Sequence, residues 1–313
     1  MKKAYIPLLV SLVFVVGCSS EDSQPETSQE DSQEEEKFWE SGSKIEEEIS
    51  HVHGLGYFDS NTIAFASHTG LKLYQDEEWL ETEGHRHDYM GFNAVDSGFY
   101  TSGHPNLQSD YPNPLGLQKL GEDGEELESL AVEGESDFHV MGVGYQNNAI
   151  YLLNEQENSL MDQGYYKSLD DGETWEAFQG DNIKGSPFQI AVHPTEDEVV
   201  AIATDSGVYL SEDAGESFSV ISDSGQGSGL FFTEEELQYG LYDGKQAFYS
   251  FDLENRETQS INIPSLAGDA IMYTARQPKK GKEMVIYTAQ GNSFISQNSG
   301  ESWSQILEEG AAK

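Results

Sequence analysis

The eight-residue stretch SLDDGETW, from Ser168 to Trp175, constrains the fold most, because two further versions of it follow in the chain. SEDAGESF begins at Ser211 and SQNSGESW begins at Ser296, which gives a shared pattern of S-x-D-x-G-x-S/T-W/F. The first two copies start 43 residues apart and the third follows after 85 residues, close to two periods. Repeats of about 40 to 50 residues with short alternating strands are typical of the four-stranded blades of β-propellers.

This period predicts an all-β fold that consists of a single propeller with six four-stranded blades. The first strands are predicted to begin near His51, Asp88, Asp137, Pro187, Ser228 and Asp269. The second strands are apolar or β-branched and are predicted at residues 62–67, 98–103, 149–154, 199–204, 237–242 and 284–289. A seventh blade would require a repeat between residues 19 and 50, and the composition there argues against one.

The last predicted blade takes all four strands from the C-terminal part of the chain and ends with residues 302–307. The ring is therefore expected to close by packing between blades one and six. Residues 37–49 are a candidate for an additional edge strand, and the sequence leaves both possibilities open.

Within each repeat the residues are predicted to have structural roles. The glycine suits a backbone position with positive φ, the aspartate accepts hydrogen bonds from turn amides, and the aromatic residue is expected to be buried between strands. Asparagine replaces the aspartate in the third copy. The structural set is Ser168, Asp170, Gly172, Trp175, Ser211, Asp213, Gly215, Phe218, Ser296, Asn298, Gly300 and Trp303.

The first 18 residues predict a lipoprotein signal peptide. Lys2 and Lys3 precede an apolar run over residues 4–16 that is short for a membrane span. The run ends in V-V-G-C, which resembles a bacterial lipobox with Cys18, the single cysteine of the chain, as the lipidated residue. An ordinary cleaved signal is the alternative. Residues 19–45 are then an acidic disordered tether, residues 46–313 form the propeller, and the protein is expected to be extracytoplasmic and anchored to the cell membrane.

The charge of the chain excludes several kinds of partner. The sequence has 16 Lys and Arg against 57 Asp and Glu, a formal net charge of −41. Such a charge repels nucleic acid and anionic lipid headgroups, so neither is an expected partner. Membrane attachment is predicted through the Cys18 lipid alone, and a monomer is expected.

Histidines concentrate in the first half of the predicted propeller. Seven of the eight histidines lie in the first three predicted blades. In a blade, the start of the first strand and the end of the second lie at the same end of the axial channel. The residues that register places at this channel mouth are His51, His53, His68, Asp88, His104, Asp137 and His139.

A divalent transition metal is one predicted occupant of this mouth. His51 and His53 are two residues apart on a strand, point the same way and suit imidazole ligation, with His68, His104 or His139 completing the site. Asp88 and Asp137 are placed to orient the rings. The alternative is that these histidines bond to the channel backbone and to water. His85 and His87 are interpreted as surface residues of a loop, and His193 as a turn residue.

A glycoside hydrolase is the second hypothesis, because it requires two carboxylates across a cleft, one acting as the acid. Asp88 and Asp137 are the candidate catalytic pair, with Glu135 in reserve. A sialidase also needs a cluster of three arginines. The chain has three arginines in all, one of them in a predicted blade hairpin, so sialidase activity is not expected.

The repeat pattern closely resembles the Asp-box, or BNR repeat, of sialidase-like and sortilin-like β-propellers. The runs HVHGLGY, ASHTGL, DYMGF, SGHP, NPLGL and ESDFHVM resemble a group of bacterial lipid-anchored propellers catalogued as glycosyl hydrolases, over about residues 50–310. The resemblance implies that the histidines and aspartates of these runs form the site. It implies no particular reaction. A third hypothesis is therefore a scaffold or envelope assembly factor, with a glycan or an envelope protein as the partner.

Overall fold

The computed structural model describes residues 37–313, except residues 41, 46, 60, 125, 279 and 280. The regular elements of the described residues are all β-strands, in six antiparallel sheets that form a six-bladed propeller. No helix found there has the length and apolarity needed to cross a membrane. The predicted signal peptide, Cys18 and residues 19–36 of the predicted tether lie outside the described residues.

The strands follow one another blade by blade; the innermost strand is β2 in blade 1 and the first strand of the blade in blades 2 to 6. Blade 1 contains β1 (Ser43–Lys44), β2 (Gly54–Tyr57), β3 (Thr62–Ser67), β4 (Gly70–Gln75) and β5 (Glu78–Glu81). Blade 2 contains β6 (Asp88–Val95), β7 (Gly98–His104), β8 (Leu117–Gly121) and β9 (Glu128–Ala131). Blade 3 contains β10 (Met141–Val143), β11 (Ile150–Asn154), β12 (Gly164–Ser168) and β13 (Glu176–Phe178).

The second half of the ring repeats this order. Blade 4 contains β14 (Pro187–Val192), β15 (Val200–Thr204), β16 (Gly207–Ser211) and β17 (Ser219–Val220). Blade 5 contains β18 (Gln226–Phe232), β19 (Glu236–Tyr242), β20 (Gln246–Asp252) and β21 (Thr258–Ser260). Blade 6 contains β22 (Ile271–Arg276), β23 (Met284–Thr288), β24 (Ser293–Ser296), β25 (Ser304–Glu308) and β26 (Ala311–Ala312).

The all-β class and the six blades predicted from the sequence are confirmed. Each first strand begins within four residues of its predicted start, and β3 has the predicted bounds. Blades 1 and 6 each have a fifth strand at the outer edge, so residues 37–49 do supply an edge strand, β1, which pairs with β5.

Alternating residues of the second strands explain the packing of the blades. In β3, Ala64 and Ala66 face the core shared with blade 2, whereas Ile63 and Phe65 face the core shared with blade 6. Successive side chains of a strand point to opposite faces, and both faces are covered here, so the strand is apolar throughout. Six such cores, one between each pair of adjacent blades, hold the ring together.

The ring closes by packing, as expected, and no strand is shared between the first and last blades among the described residues. The innermost strand β2 contacts both β6 and β22. On the outer side, Trp79 of blade 1 donates a hydrogen bond from Nε1 to the carbonyl of Ile306 in blade 6, at 3.2 Å. Glycine permits the close approach at the centre, because a Cβ on Gly56 would lie 2.5 Å from the Cβ of Ala94.

The three repeat turns share one hydrogen-bond pattern. In the first, the Ser168 hydroxyl donates to Asp170 Oδ1 at 2.8 Å and accepts from the Gly172 amide at 2.8 Å. Asp170 Oδ1 also accepts from the Thr174 amide at 2.8 Å. Equivalent contacts hold the turns that begin at Ser211 and Ser296, and all three glycines have positive φ.

The aromatic residues of the repeats differ in burial from the expectation. Phe218 is buried, but Trp175 and Trp303 are only partly buried. Both tryptophans come just before the fourth strand of their blades, where the sheet borders solvent. Trp303 uses its Nε1 to donate to the Asn262 carbonyl at 2.8 Å.

A short segment before β1 packs between blades 1 and 2, although it falls in the part of the sequence predicted as tether. Trp39 is fully buried, lies stacked on Phe58 with ring centroids 4.7 Å apart, and donates from Nε1 to Asp59 Oδ2 at 3.2 Å. The Phe38 amide donates to the Glu122 carbonyl at 3.2 Å. Described residues upstream of β1 are therefore part of the propeller body.

Candidate functional site

Strand direction brings the predicted site residues to one end of the channel. β2 and β6 begin next to His53 and at Asp88, and β3 and β7 return to the same end at His68 and His104. We call this end the histidine mouth, defined by His51, His53, His68, Asp88, His104, Asp137 and His139. The repeat turns follow the third strands and therefore lie toward the opposite end.

Three residues of blades 1 and 2 form a compact cluster at this mouth. His53 Nε2 and His68 Nε2 are 2.7 Å apart, and Asp88 Oδ2 lies 3.5 Å from His68 Nδ1. One potential ligand atom from each residue lies within 4.8 Å of the other two. The ring of His51 lies next to this cluster, with its centroid 5.0 Å from that of His68. We call His53, His68 and Asp88 the metal cluster.

The electrostatics of the metal cluster favour neutral imidazole. Burial lowers the pKa of His53 to about 4; a positive charge on His68 adds to this effect, and the Asp88 carboxylate opposes it. The His53 ring is therefore unprotonated at neutral pH, as metal ligation requires. Asp88 Oδ1 is buried and has no hydrogen-bond partner among the described residues. A buried carboxylate oxygen without a partner is costly unless a ligand reaches it.

A second cluster lies beside the first, on blades 2 and 3. Asp137 Oδ2 is 3.2 Å from His104 Nε2 and 3.5 Å from His139 Nε2. The other nitrogen of His104, Nδ1, is 2.7 Å from Asn113 Oδ1. The buried Ser102 hydroxyl lies 3.4 Å from Asp137 Oδ1 and accepts from the Phe138 amide at 2.9 Å. Here the carboxylate holds two rings in place.

The two clusters follow one rule of blade geometry. A histidine near the end of the second strand of one blade meets an aspartate at or before the first strand of the next, as His68 meets Asp88 and His104 meets Asp137. Blade 3 ends its second strand with Asn154, which bonds to its own loop at Met161 and Asp162. The histidine–aspartate pairing therefore covers the junctions of blades 1 with 2 and 2 with 3.

Other predicted site residues lie elsewhere. Glu135, the reserve carboxylate, is bound by the amide and hydroxyl of Ser159 in an exposed loop. His193 is buried and accepts the Glu196 amide at 3.0 Å, in keeping with a turn residue. The sequence predicts no role for Asn113 and Ser102, although Asn113 stands in the NPLGL run. The Asn113 contact depends on the path of the loop between β7 and β8, and the Ser102 contacts depend on the segment before β10 of the next blade.

The interpretation of His87 as a surface residue is wrong. His87 is 2% exposed, and its ring packs edge-on against Tyr89 and Tyr111. Its Nδ1 accepts the Asn106 amide at 3.1 Å, and its Nε2 is buried without a hydrogen-bond partner among the described residues. Burial, and next the neighbouring His85, lower the pKa of His87 to about 4.

This buried ring predicts a pH dependence of stability. The folded-state pKa of His87, about 4, lies below its ordinary value of 6.5, so between these pH values the unfolded chain binds a proton that the folded chain does not. The free energy of unfolding should therefore fall as pH is lowered through this window. The free energy of unfolding can be measured with denaturant at pH 7, 6 and 5. In His87→Gln it should fall less steeply with decreasing pH than in the wild type. The same pH dependence of the unfolding free energy in the wild type and in His87→Gln would contradict this prediction.

Comparisons with known proteins support the fold alone. No protein-family model matches the chain, and no curated protein is significantly similar to it in sequence. Among solved structures it is similar to a GH74 xyloglucanase from Xanthomonas campestris, with 14% identity, a TM-score of 0.50 and coverage of 83% of this chain and 46% of that one.

Two further structures extend the comparison. The extracellular domain of a one-component system from B. thetaiotaomicron has 13% identity and a TM-score of 0.53, covering 87% of this chain and 35% of that one. A chain of a nidogen/laminin complex has 9% identity and a TM-score of 0.55, and the match covers 79% of this chain and 92% of that one. The chain thus spans less than half the length of the first two structures, and at these identities the likeness shows a shared propeller fold.

Proposed function

We propose that the propeller binds a divalent transition metal at the histidine mouth, through His53, His68 and Asp88. The observation that carries the proposal is the convergence of two imidazole Nε2 atoms at 2.7 Å with a carboxylate beside them, from three different strands. Imidazole nitrogen suits zinc, copper and nickel. Three protein ligands leave a coordination position open for an external ligand, as in sites that bind or transform small molecules.

The surroundings of the cluster support this proposal. A cation there would give the buried Asp88 Oδ1 a partner that it lacks among the described residues. His53 is neutral at pH 7 because of burial, so binding would require little proton release from this ring. The second cluster adds Asp137 and two more imidazole rings to the same mouth.

Zinc titration of the metal-free protein tests the proposal. One zinc ion per chain is expected by calorimetry and by elemental analysis after dialysis. Binding should also stabilise the fold, by about 2.7 kcal/mol when free zinc is 100 times its dissociation constant. If no zinc, copper or nickel is retained, and none of them raises the unfolding midpoint, the proposal fails.

A glycoside hydrolase using Asp88 and Asp137 is the second candidate. It is supported by the position of both carboxylates at the same mouth, linked through His104, which pairs with Asp88 in the sheet and contacts Asp137 at 3.2 Å. Hydrolysis of aryl glycosides that is lost in both Asp88→Asn and Asp137→Asn would favour it. Hydrolysis that persists in both variants would eliminate this pair.

We further propose that the protein acts outside the cytoplasm on a lipid anchor at Cys18. The support is the charged and apolar pattern of residues 1–18 with its lipobox-like ending. Metabolic labelling with a palmitate analogue should mark the wild-type chain and should not mark Cys18→Ala.

A further inference from the structure

A channel continues inward from the metal cluster. His53 and His139 border it at the histidine mouth, and Tyr145 and Arg276 border it toward the opposite end. It encloses a cavity of about 110 Å³. One water needs roughly 10 to 15 Å³ of such space, so the cavity has room for several water-sized groups.

Two polar side chains of the channel wall are engaged with backbone groups. Asn93 lines it, but its amide donates to the Gly91 carbonyl at 3.0 Å and its Oδ1 accepts the Val143 amide at 3.2 Å. Gln189 also lines it, and its Oε1 accepts the Leu230 amide at 3.0 Å. These side chains join adjacent innermost strands, so their polar atoms are engaged with the backbone of the wall.

The wall also presents apolar surface that is only partly covered. Leu55, Phe231 and Tyr273 line the channel and pack against the core between blades 1 and 6, yet each keeps part of its surface accessible. Ala191 lines the opposite side and is likewise partly buried. Apolar surface that faces a channel gains free energy when an apolar group replaces the water there.

We propose that the ligand of the metal site is a small monocarboxylic acid with an unbranched apolar tail. The inference rests on the proposed metal function: the carboxylate occupies the open coordination position and the tail extends into the channel beneath. Among the three proposed metal ligands only Asp88 carries a negative charge, so a divalent cation bound by them keeps one positive charge, which favours a carboxylate in the open position. Without the cation, the net charge of −41 would oppose the binding of an acid.

Binding of a homologous series to the zinc-loaded protein tests the proposal. Acetate, butanoate, hexanoate and octanoate are titrated into it by calorimetry. Affinity should rise by about fourfold for each added methylene until the channel is filled, which corresponds to roughly 0.8 kcal/mol per buried CH₂. Acetate measures the contribution of the metal and the carboxylate alone.

Replacing either of two alanines with leucine tests whether the apolar tail of the ligand lies in the channel. Ala191→Leu narrows the channel and should abolish the gain from acetate to octanoate while leaving zinc and acetate binding unchanged. Ala177→Leu is the matched control, because Ala177 is exposed on β13 in the outer part of blade 3. This control should retain the full dependence on chain length.

The outcomes separate the two proposals. Absence of zinc binding overturns the metal function and this inference with it. Zinc binding with equal affinity for acetate and octanoate overturns the inference alone. A dependence on chain length that survives Ala191→Leu, in protein with wild-type zinc affinity, would place the tail outside the channel and would also overturn it.

Discussion

Replacing His68 with alanine is expected to weaken zinc binding by about two orders of magnitude. His68 is the central member of the metal cluster, with His53 Nε2 at 2.7 Å on one side and Asp88 Oδ2 at 3.5 Å on the other. Four-ligand structural zinc sites are worth roughly 10 to 16 kcal/mol, or about 3 kcal/mol per ligand, which corresponds to about 100-fold in affinity. Competition against a coloured zinc chelator measures the change.

The side chain of His68 is 44% exposed, so its removal should leave the fold intact, which circular dichroism and unfolding of the metal-free protein will check. His139→Gln is the matched control, because this ring is 49% exposed at the same mouth but contacts Asp137. Zinc affinity in the control should stay within about threefold of the wild type. Similar losses in both variants would show that the ligand set extends into the second cluster and that the three-residue assignment is wrong.

Replacing Trp39 with alanine is expected to lower the free energy of unfolding by about 3 to 5 kcal/mol, the usual range for a buried large aromatic. Trp39 is fully buried in the core between blades 1 and 2, where it stacks on Phe58 and bonds to Asp59. The substitution leaves a cavity and removes the donor to Asp59. Denaturant unfolding of residues 37–313 and of the full chain measures the effect.

Trp175→Ala is the appropriate comparison, since it removes the same side chain from a repeat turn. Trp175 is only partly buried, so the loss should be clearly smaller than for Trp39. The sequence predicts that Trp175 is buried, and a buried tryptophan there would cost as much to remove as Trp39. Because Trp175 is only partly buried, we expect a smaller loss of unfolding free energy. Equal losses in the two variants would contradict the prediction that the fully buried Trp39 contributes more to stability than the partly buried Trp175.

The regular part of the fold is predictable from the sequence because two periodicities coincide. The repeat spacing places the blades, and the alternation of small and large residues in stretches such as Thr62–Ser67 marks strands with two covered faces. The burial of Trp39 is not predictable in this way. It depends on hairpins near Asp59 and Glu122, and an acidic flanking sequence gives no sign of either contact.

The candidate site also combines features that strand direction predicts with features that depend on packing between segments. The gathering of His53, His68 and Asp88 at one mouth was expected from strand direction, and the structure places these side chains together. The burial of His87 was missed, because its position in a connecting segment indicates exposure, whereas two tyrosines from neighbouring elements cover the ring. Whether such a residue is buried depends on packing between separate segments, which the local sequence pattern does not predict.

Closure of the ring by packing alone has a consequence for synthesis of the chain on the ribosome. Ile63, Phe65 and Trp79 of blade 1 pack against Ile306 and Leu307, which are made only after blades 2 to 5. Because domains begin to fold during translation, this apolar side of blade 1 stays uncovered while blades 2 to 5 emerge, and it is open to aggregation or chaperone capture in the nascent chain during that time. The metal cluster is complete by Asp88, so a bound cation would be available to hold blades 1 and 2 together throughout that interval.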